Sequence, residues 1–173
     1  ISHLETISSP KGAIEFKNVQ FGYTPEKILM KNVDFSVQPK KTVAIVGPTG
    51  AGKTTLVNLL MRFYEINQGA ITFDGIDITK LSRQNLRNLF GMVLQNTWLF
   101  EGTVADNIAY GKKDASREEI IEAAKIAQCD HFIRTLPQGY DTIISSENGA
   151  LSQGQQQLLT IARIILANPP VVI

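Results

Sequence analysis

Cysteine is almost absent from this chain. Cys129 is the single one among 173 residues, so no internal disulfide can form, and the sequence shows no Cys/His cluster around it of the kind that marks a zinc site. Charge of either sign is not in excess, since 17 basic residues stand against 16 acidic ones. A global field for nucleic acid or an acidic membrane surface is thereby excluded, and recognition has to be local. No apolar run approaches the ~18 residues needed to span a bilayer, and the start, "ISHLETISSPKG", lacks the basic and apolar regions of a signal peptide. There is no internal repeat and no low-complexity tract. What remains is a chain of single-domain length, 43% hydrophobic, with enough apolar side chains for a substantial core.

Residues 1–12, rich in Ser, Pro and Gly without periodicity, are expected to be a linker tail, with something preceding them in a longer parent protein. From Ala13, "AIEFKNVQFGY" alternates apolar and polar residues, and "NVDFSVQ" repeats the alternation after a turn around Thr24 to Lys27. Two or three antiparallel strands are predicted there. "TVAIVG" is a nearly continuous β-branched run of the kind that lies buried in a central sheet. From Lys53 the spacing of Leu56, Leu59, Leu60 and Phe63 is helical, and "AITFDGIDI" reads as a hairpin turning at Asp74-Gly75. "SRQNLRNLF" predicts a short helix and "GMVLQ" a strand. After Gln95 the pattern is helical for about seventy residues. Ser116 with Glu119 forms a capping box before "IIEAAKIA", and "VADNIA", "DHFIRTL" and "GQQQLLTIARIILA" supply further helices. Cys129 and His131 fall in this part, the first as a buried small residue and the second as a partly exposed helix residue.

Between the β-branched run and the first helix lies "GPTGAGKT". Gly47, Gly52, Lys53 and Thr54 satisfy G-x-x-x-x-G-K-[ST], with a predicted strand before and a predicted helix after. Glycines let such a loop turn successive N–H groups inward on a phosphate, and the following helix points its partly positive N-terminus at the same anion. Lys53 is placed to reach the β- and γ-phosphates, and the Thr54 hydroxyl to help hold Mg²⁺. The competing explanation is an ordinary Gly-rich turn carrying an exposed lysine.

A phosphate cradle is common to kinases, GTPases, helicases and transporters. The segments "FKNVQFGY", "VGPTGAGKTT", "GMVLQNTWLFEGTVADNIAYG", "LPQGYDT" and "LSQGQQQLLTIARIILANPPVVI" together resemble the nucleotide-binding domain of an ABC transporter of the exporter type, in that family's order and from about Ala13 to Ile173. The resemblance implies an α/β fold: a P-loop NTPase core with an N-terminal antiparallel β subdomain and an inserted α-helical subdomain. On this division the β subdomain and P-loop core occupy 13–95, the helical subdomain with its signature 96–168, and the start of the Walker B strand 169–173.

The resemblance also assigns roles. Gly47, Pro48, Thr49, Gly50, Ala51, Gly52, Lys53, Thr54 and Thr55 would cradle the phosphates of ATP. Tyr23 falls where the family stacks an aromatic ring on adenine, a π-face contact that any base can use, whereas Phe21 beside it is expected in the core. Gln95 matches the glutamine that touches Mg²⁺ and the attacking water, so Lys53 and Gln95 are the candidate catalytic residues and Thr54 and Gln95 the candidate metal contacts. Ser152, Gly154 and Gln155, in "LSQGQ", match the signature that meets the γ-phosphate bound by the partner of a head-to-tail dimer. Plain helix capping by Ser152 is the alternative. Glu147 and Gly149 sit where exporters contact the transmembrane partner.

Two departures stand out. Gln153 occupies a position where glycine is usual, and "ENGALSQGQ" is one residue shorter than the family's spacing. The family's Walker B carboxylates and switch histidine follow the strand that "VVI" begins, and Asp74, Asp77 and Glu101 lie in hairpin or insertion positions that cannot replace them. The 173 residues are therefore expected to bind ATP and Mg²⁺ without hydrolysing efficiently. The implied whole is an ATPase motor domain of an exporter, dimerising with a second nucleotide-binding domain and meeting a transmembrane domain at the cytoplasmic face of the membrane, with no nucleic acid as partner. The alternatives are a regulatory nucleotide-binding module with weak or no hydrolysis, or a soluble ATPase of the same type.

Overall fold

Alternation at the start of the chain produces a hairpin. In the computed structural model, which describes residues 4–24, 26–93, 97–145 and 151–173, β1 (Ile14–Thr24) pairs antiparallel with β2 (Lys27–Val37). β1 buries Ile14 and Phe16, then changes phase and buries Val19 and Phe21. The change is a bulge: Asn18 takes φ 47°, its N–H is accepted by the Asp34 carboxylate at 2.9 Å, and the register against β2 shifts between Phe16 and Val19. One extra residue returns the next apolar side chains to the buried face. Because residues two apart share a face, Tyr23 continues the row of Val19 and Phe21. It emerges from the core 55% exposed.

α1 (Lys53–Leu60) is shorter than the apolar spacing suggests, and Phe63 lies outside it and exposed. Arg62 at φ 54° stops the helix, with Arg62 N–H donating to Leu59 and Phe63 N–H to Asn58. That pair of bonds is a Schellman motif. β3 (Gln68–Phe73) and β4 (Ile76–Asp77) form the hairpin at Asp74-Gly75, both of which have positive φ, and complete a four-stranded sheet in the order β2-β1-β3-β4. The Asp74 carboxylate also accepts from Lys11 and Ala13 N–H at 2.7 and 2.8 Å, tying the end of the tail to this turn. α2 (Arg83–Arg87) is capped by Ser82 and followed by β5 (Phe90–Gly91).

The run 42–47 corrects the expectation of a buried central strand. It lies in no strand, and Val46 is 87% exposed. β-branched residues favour a strand where neighbours pair with and pack on them; no described strand pairs with this run.

The chain divides into two compact units, Ile1–Phe90 and Gly91–Ile173. In the second, β6 (Gly102–Thr103) leads into α3 (Val104–Ala109), followed by α4 (Arg117–Ile126), α5 (Asp130–Thr135), β7 (Ile143–Ile144), α6 (Gln153–Ala167) and β8 (Val171–Val172). β6 and β7 pair antiparallel. α3 and α4 pack on α6 around Val104, Ile108, Ala124, Ile133, Leu159 and Ala162. Reciprocal capping boxes start α3, α4 and α6, so the predicted box at Ser116 and Glu119 is one of three. Ile173 donates to the Gly91 carbonyl and accepts from Val93 N–H, the ladder of a parallel pair. Cys129 is fully buried, and burial pushes its thiol up to about 11, leaving it protonated and inert; His131 is exposed on α5.

Candidate functional site

The turn before α1 creates an anion site out of backbone. Gly50 and Gly52 have φ of 83° and 92°, and Ala51 N–H closes the turn on the Pro48 carbonyl at 3.2 Å. Gly52 is the N-cap of α1; a Cβ there would meet Met30 Cε at 3.0 Å in a backbone conformation that already disfavours side chains. No side chain caps this helix and its first turn has no acidic residue, so the N-terminal N–H groups and their partial positive charge stay available to a ligand.

A cleft of about 600 Å³ opens over this turn, within the range usual for small-molecule sites. It is lined by Thr49, Gly50, Gly52, Lys53, Thr54 and Thr55 of the turn and α1 and by Tyr23, Lys27 and Leu29 of the first hairpin. Two lysines and no carboxylate line it, the balance an oligophosphate needs. The Lys53 ammonium donates to the carbonyls of Gly47 and Pro48, the latter at 2.8 Å, and so lies over the loop. Tyr23 reaches the first turn of α1 through its hydroxyl, 2.8 Å from Thr55 Oγ1.

The first unit thus brings Tyr23, Thr49, Gly50, Gly52, Lys53, Thr54 and Thr55 together, with Gly47 and Pro48 holding Lys53 and Ala51 closing the turn. For Mg²⁺ the chain offers the exposed Thr54 hydroxyl. No cluster of three or more His, Cys, Asp or Glu is found among the described residues. Mg²⁺ keeps several waters and is commonly held by one or two carboxylates beside bound phosphates; the described lining supplies the hydroxyl and no carboxylate. Gln95, Glu147 and Gly149 lie outside the described residues.

Ser152, Gly154 and Gln155 form the start of α6 in the second unit. Ser152 Oγ accepts from Gln155 N–H at 3.2 Å, and Gln155 Oε1 accepts from Ser152 N–H at 2.9 Å. The serine therefore caps the helix. Gln153 and Gly154 are exposed on its first turn.

Two groups of residues were not singled out by the sequence. Lys27 and Leu29 join the cleft only because the hairpin register sets Lys27 opposite Thr24. Trp98, Phe100 and Tyr110 form an aromatic cluster with ring centroids 5.7–5.9 Å apart, and Trp98 and Tyr110 remain 58% and 65% exposed. Arg163 supports it from α6, its guanidinium 5.7 Å from the Trp98 ring centre and 5.3 Å from that of Tyr110 while donating to the carbonyls of Trp98 and Asn107. Burial lowers the pKa of this arginine. The fully buried Asn107 fixes the loop by bonding both the N–H and the carbonyl of Phe100.

Residues 30–173 match the family model described as ABC transporter. The chain is 55% identical over 162 residues to the fatty acid ABC transporter ATP-binding/permease protein of Mycobacterium bovis, covering 94% of this chain and 26% of that protein. To the ATP-dependent lipid A-core flippase of Legionella pneumophila it is 48% identical over 163 residues, 94% of this chain and 28% of the other. Among solved structures, a bacterial Atm1-family ABC exporter with ATP bound superposes with a TM-score of 0.89 at 41% identity, over 99% of this chain and 30% of that one. The chain spans about a quarter of the length of the curated relatives it matches.

Proposed function

The chain belongs to the ABC transporter family, and on that premise we propose that it is the ATP-binding part of an exporter, which in the whole protein hydrolyses ATP to drive transport. The cleft over α1 carries the proposal: a turn of positive-φ glycines, an uncapped helix start and Lys53 in one place, with Tyr23 and Lys27 lining the same cleft. Phosphates would lie against the turn and the helix start, Lys53 would exchange its loop carbonyls for phosphate oxygens, and Tyr23 would offer its ring to the base. The Thr54 hydroxyl and the phosphates would hold Mg²⁺, whose charge would stabilise the transferring phosphoryl group. Lys53 and Gln95 are the proposed catalytic residues of this chain, and Ser152, Gly154 and Gln155 the proposed contribution to a partner domain's nucleotide.

A membrane-spanning permease is the proposed partner, since the relatives are ATP-binding/permease proteins of which this chain matches about a quarter. Exposed Trp98 and Tyr110, braced by Arg163, are the proposed contact, because aromatic anchors held rigid before binding lose little entropy on docking. Such a partner favours the motor over a regulatory module or a soluble ATPase. Phosphate release by the full-length protein in lipid vesicles tests the proposal: ATP-dependent turnover that Lys53→Met abolishes is the expected result. Absence of turnover in the unaltered protein would favour the regulatory module.

A further inference from the structure

Stacking on a base uses the π-face of an aromatic ring and has no need of a phenol hydroxyl. Tyr23 nevertheless spends its hydroxyl on Thr55, 2.8 Å away, and the Thr55 side it meets is nearly buried, the residue being 6% exposed. Two further rings pack nearly perpendicular to it. Phe21 lies at 5.0 Å with an interplanar angle of 81°, and Tyr64 at 5.2 Å with 88°. A ring that keeps 55% of its surface open is thus fixed at three points before any ligand arrives.

From this geometry we infer that Thr55 is a positioning residue for base recognition: its hydroxyl ties the Tyr23 ring of β1 to the first turn of α1, the turn that faces the phosphates. The inference rests on the cleft being a nucleotide site and adds the link between its two halves. Ordering a ring in advance lowers the entropic cost of binding the base. Since Thr55 lies two residues after Lys53 in the same helical turn, a phosphate settling on that turn and a base settling on Tyr23 act on one rigid unit. Triphosphate and base should therefore bind more tightly joined than either group predicts alone.

The test compares Mg-ATP with Mg-tripolyphosphate, which carries the phosphates and lacks the base, by calorimetric titration of the full-length protein. Variants are Tyr23→Phe, Thr55→Val, Thr55→Ser and the Tyr23→Phe/Thr55→Val double substitution, with circular dichroism recorded for each. The ratio of ATP affinity to tripolyphosphate affinity should fall about two- to tenfold in each of the first two variants, the range of one neutral hydrogen bond. It should fall no further in the double variant and return in Thr55→Ser. A Tyr23→Phe variant that folds and keeps the parent ratio overturns the inference, as do effects that multiply in the double variant. A Thr55→Val variant that loses tripolyphosphate and ATP affinity equally also overturns it, because the ratio is then unchanged and the hydroxyl serves the phosphates without helping the base. If the unaltered protein binds no ATP, the cleft's assignment falls and the inference with it, whereas ATP binding with multiplying effects removes the inference alone.

Discussion

Replacing Lys53 by methionine separates binding from folding. Methionine keeps the length of the side chain and removes the ammonium. In the structure that ammonium is bonded to the carbonyls of Gly47 and Pro48, both on exposed residues, so water can take its place on each. Stability should change by no more than about 0.5 kcal/mol, the usual range for a surface substitution. ATP loses more. A hydrogen bond to a charged partner contributes roughly 1.5–3 kcal/mol, and the ammonium must first release the two loop carbonyls, which favours the lower part of that range. The expected loss in affinity for Mg-ATP is about ten- to a hundredfold. Calorimetric titration of Mg-ATP into full-length parent and variant, beside urea unfolding of both, measures the two quantities. Affinity within threefold of the parent would refute the role of Lys53. A loss of stability that matched the loss of affinity would refute the claim that the lysine serves the ligand and not the loop.

Ser152→Ala should cost about 1 kcal/mol of stability, because the hydroxyl caps α6, while Ser152→Asn should restore most of it. If the hydroxyl also meets a partner's γ-phosphate, turnover stays low in both, and recovery of turnover in Ser152→Asn would reduce the residue to a cap. Tyr110→Ala should leave ATP affinity alone and lower turnover in vesicles, where the permease is present; equal turnover would remove the aromatic cluster from the interface. The Asp130 carboxyl is held below its usual value first by the hydrogen bond from Arg134 and then by the Tyr140 hydroxyl. A carboxyl lowered on folding stabilises the protein above its unfolded value and ceases to do so as pH falls through the folded one. The gap in urea midpoint between parent and Asp130→Asn should therefore be present at pH 7 and close as pH falls below about 4, and a gap constant from pH 7 to pH 3 would contradict the cause given.

The pattern of apolar residues carried much of the fold, and where it failed the cause is tertiary. The two hairpins, the capping box at Ser116 and the cap at Ser152 follow from local rules, because their signals lie within a few residues. The bulge at Asn18 is visible only as a lost beat between Phe16 and Val19, and it returns the row of Val19, Phe21 and Tyr23 to the face of Ile14 and Phe16. α1 stops before Phe63 because Arg62 turns left-handed while its guanidinium reaches the carbonyls of Ile78 and Leu81, sixteen and nineteen residues away. No window of sequence contains that contact. "TVAIVG" has the composition of a central strand without a described neighbour to pair with, so propensity alone misjudged it. At the site, the glycines, Lys53 and Thr54 were legible because their spacing is their mechanism. Lys27 was not, since a lysine in a hairpin becomes part of a cleft only through register.

Everything proposed for this protein depends on a nucleotide binding in the cleft lined by Tyr23 and the turn before α1. Photolabelling the full-length protein with 8-azido-ATP and mapping the modified peptide tests it most directly, because the azide sits on the base. Labelling is expected in the segment that carries Tyr23, Lys27 and Leu29, suppressed by excess ATP. Saturable labelling elsewhere with none in that segment, or labelling that ATP does not displace, would contradict it.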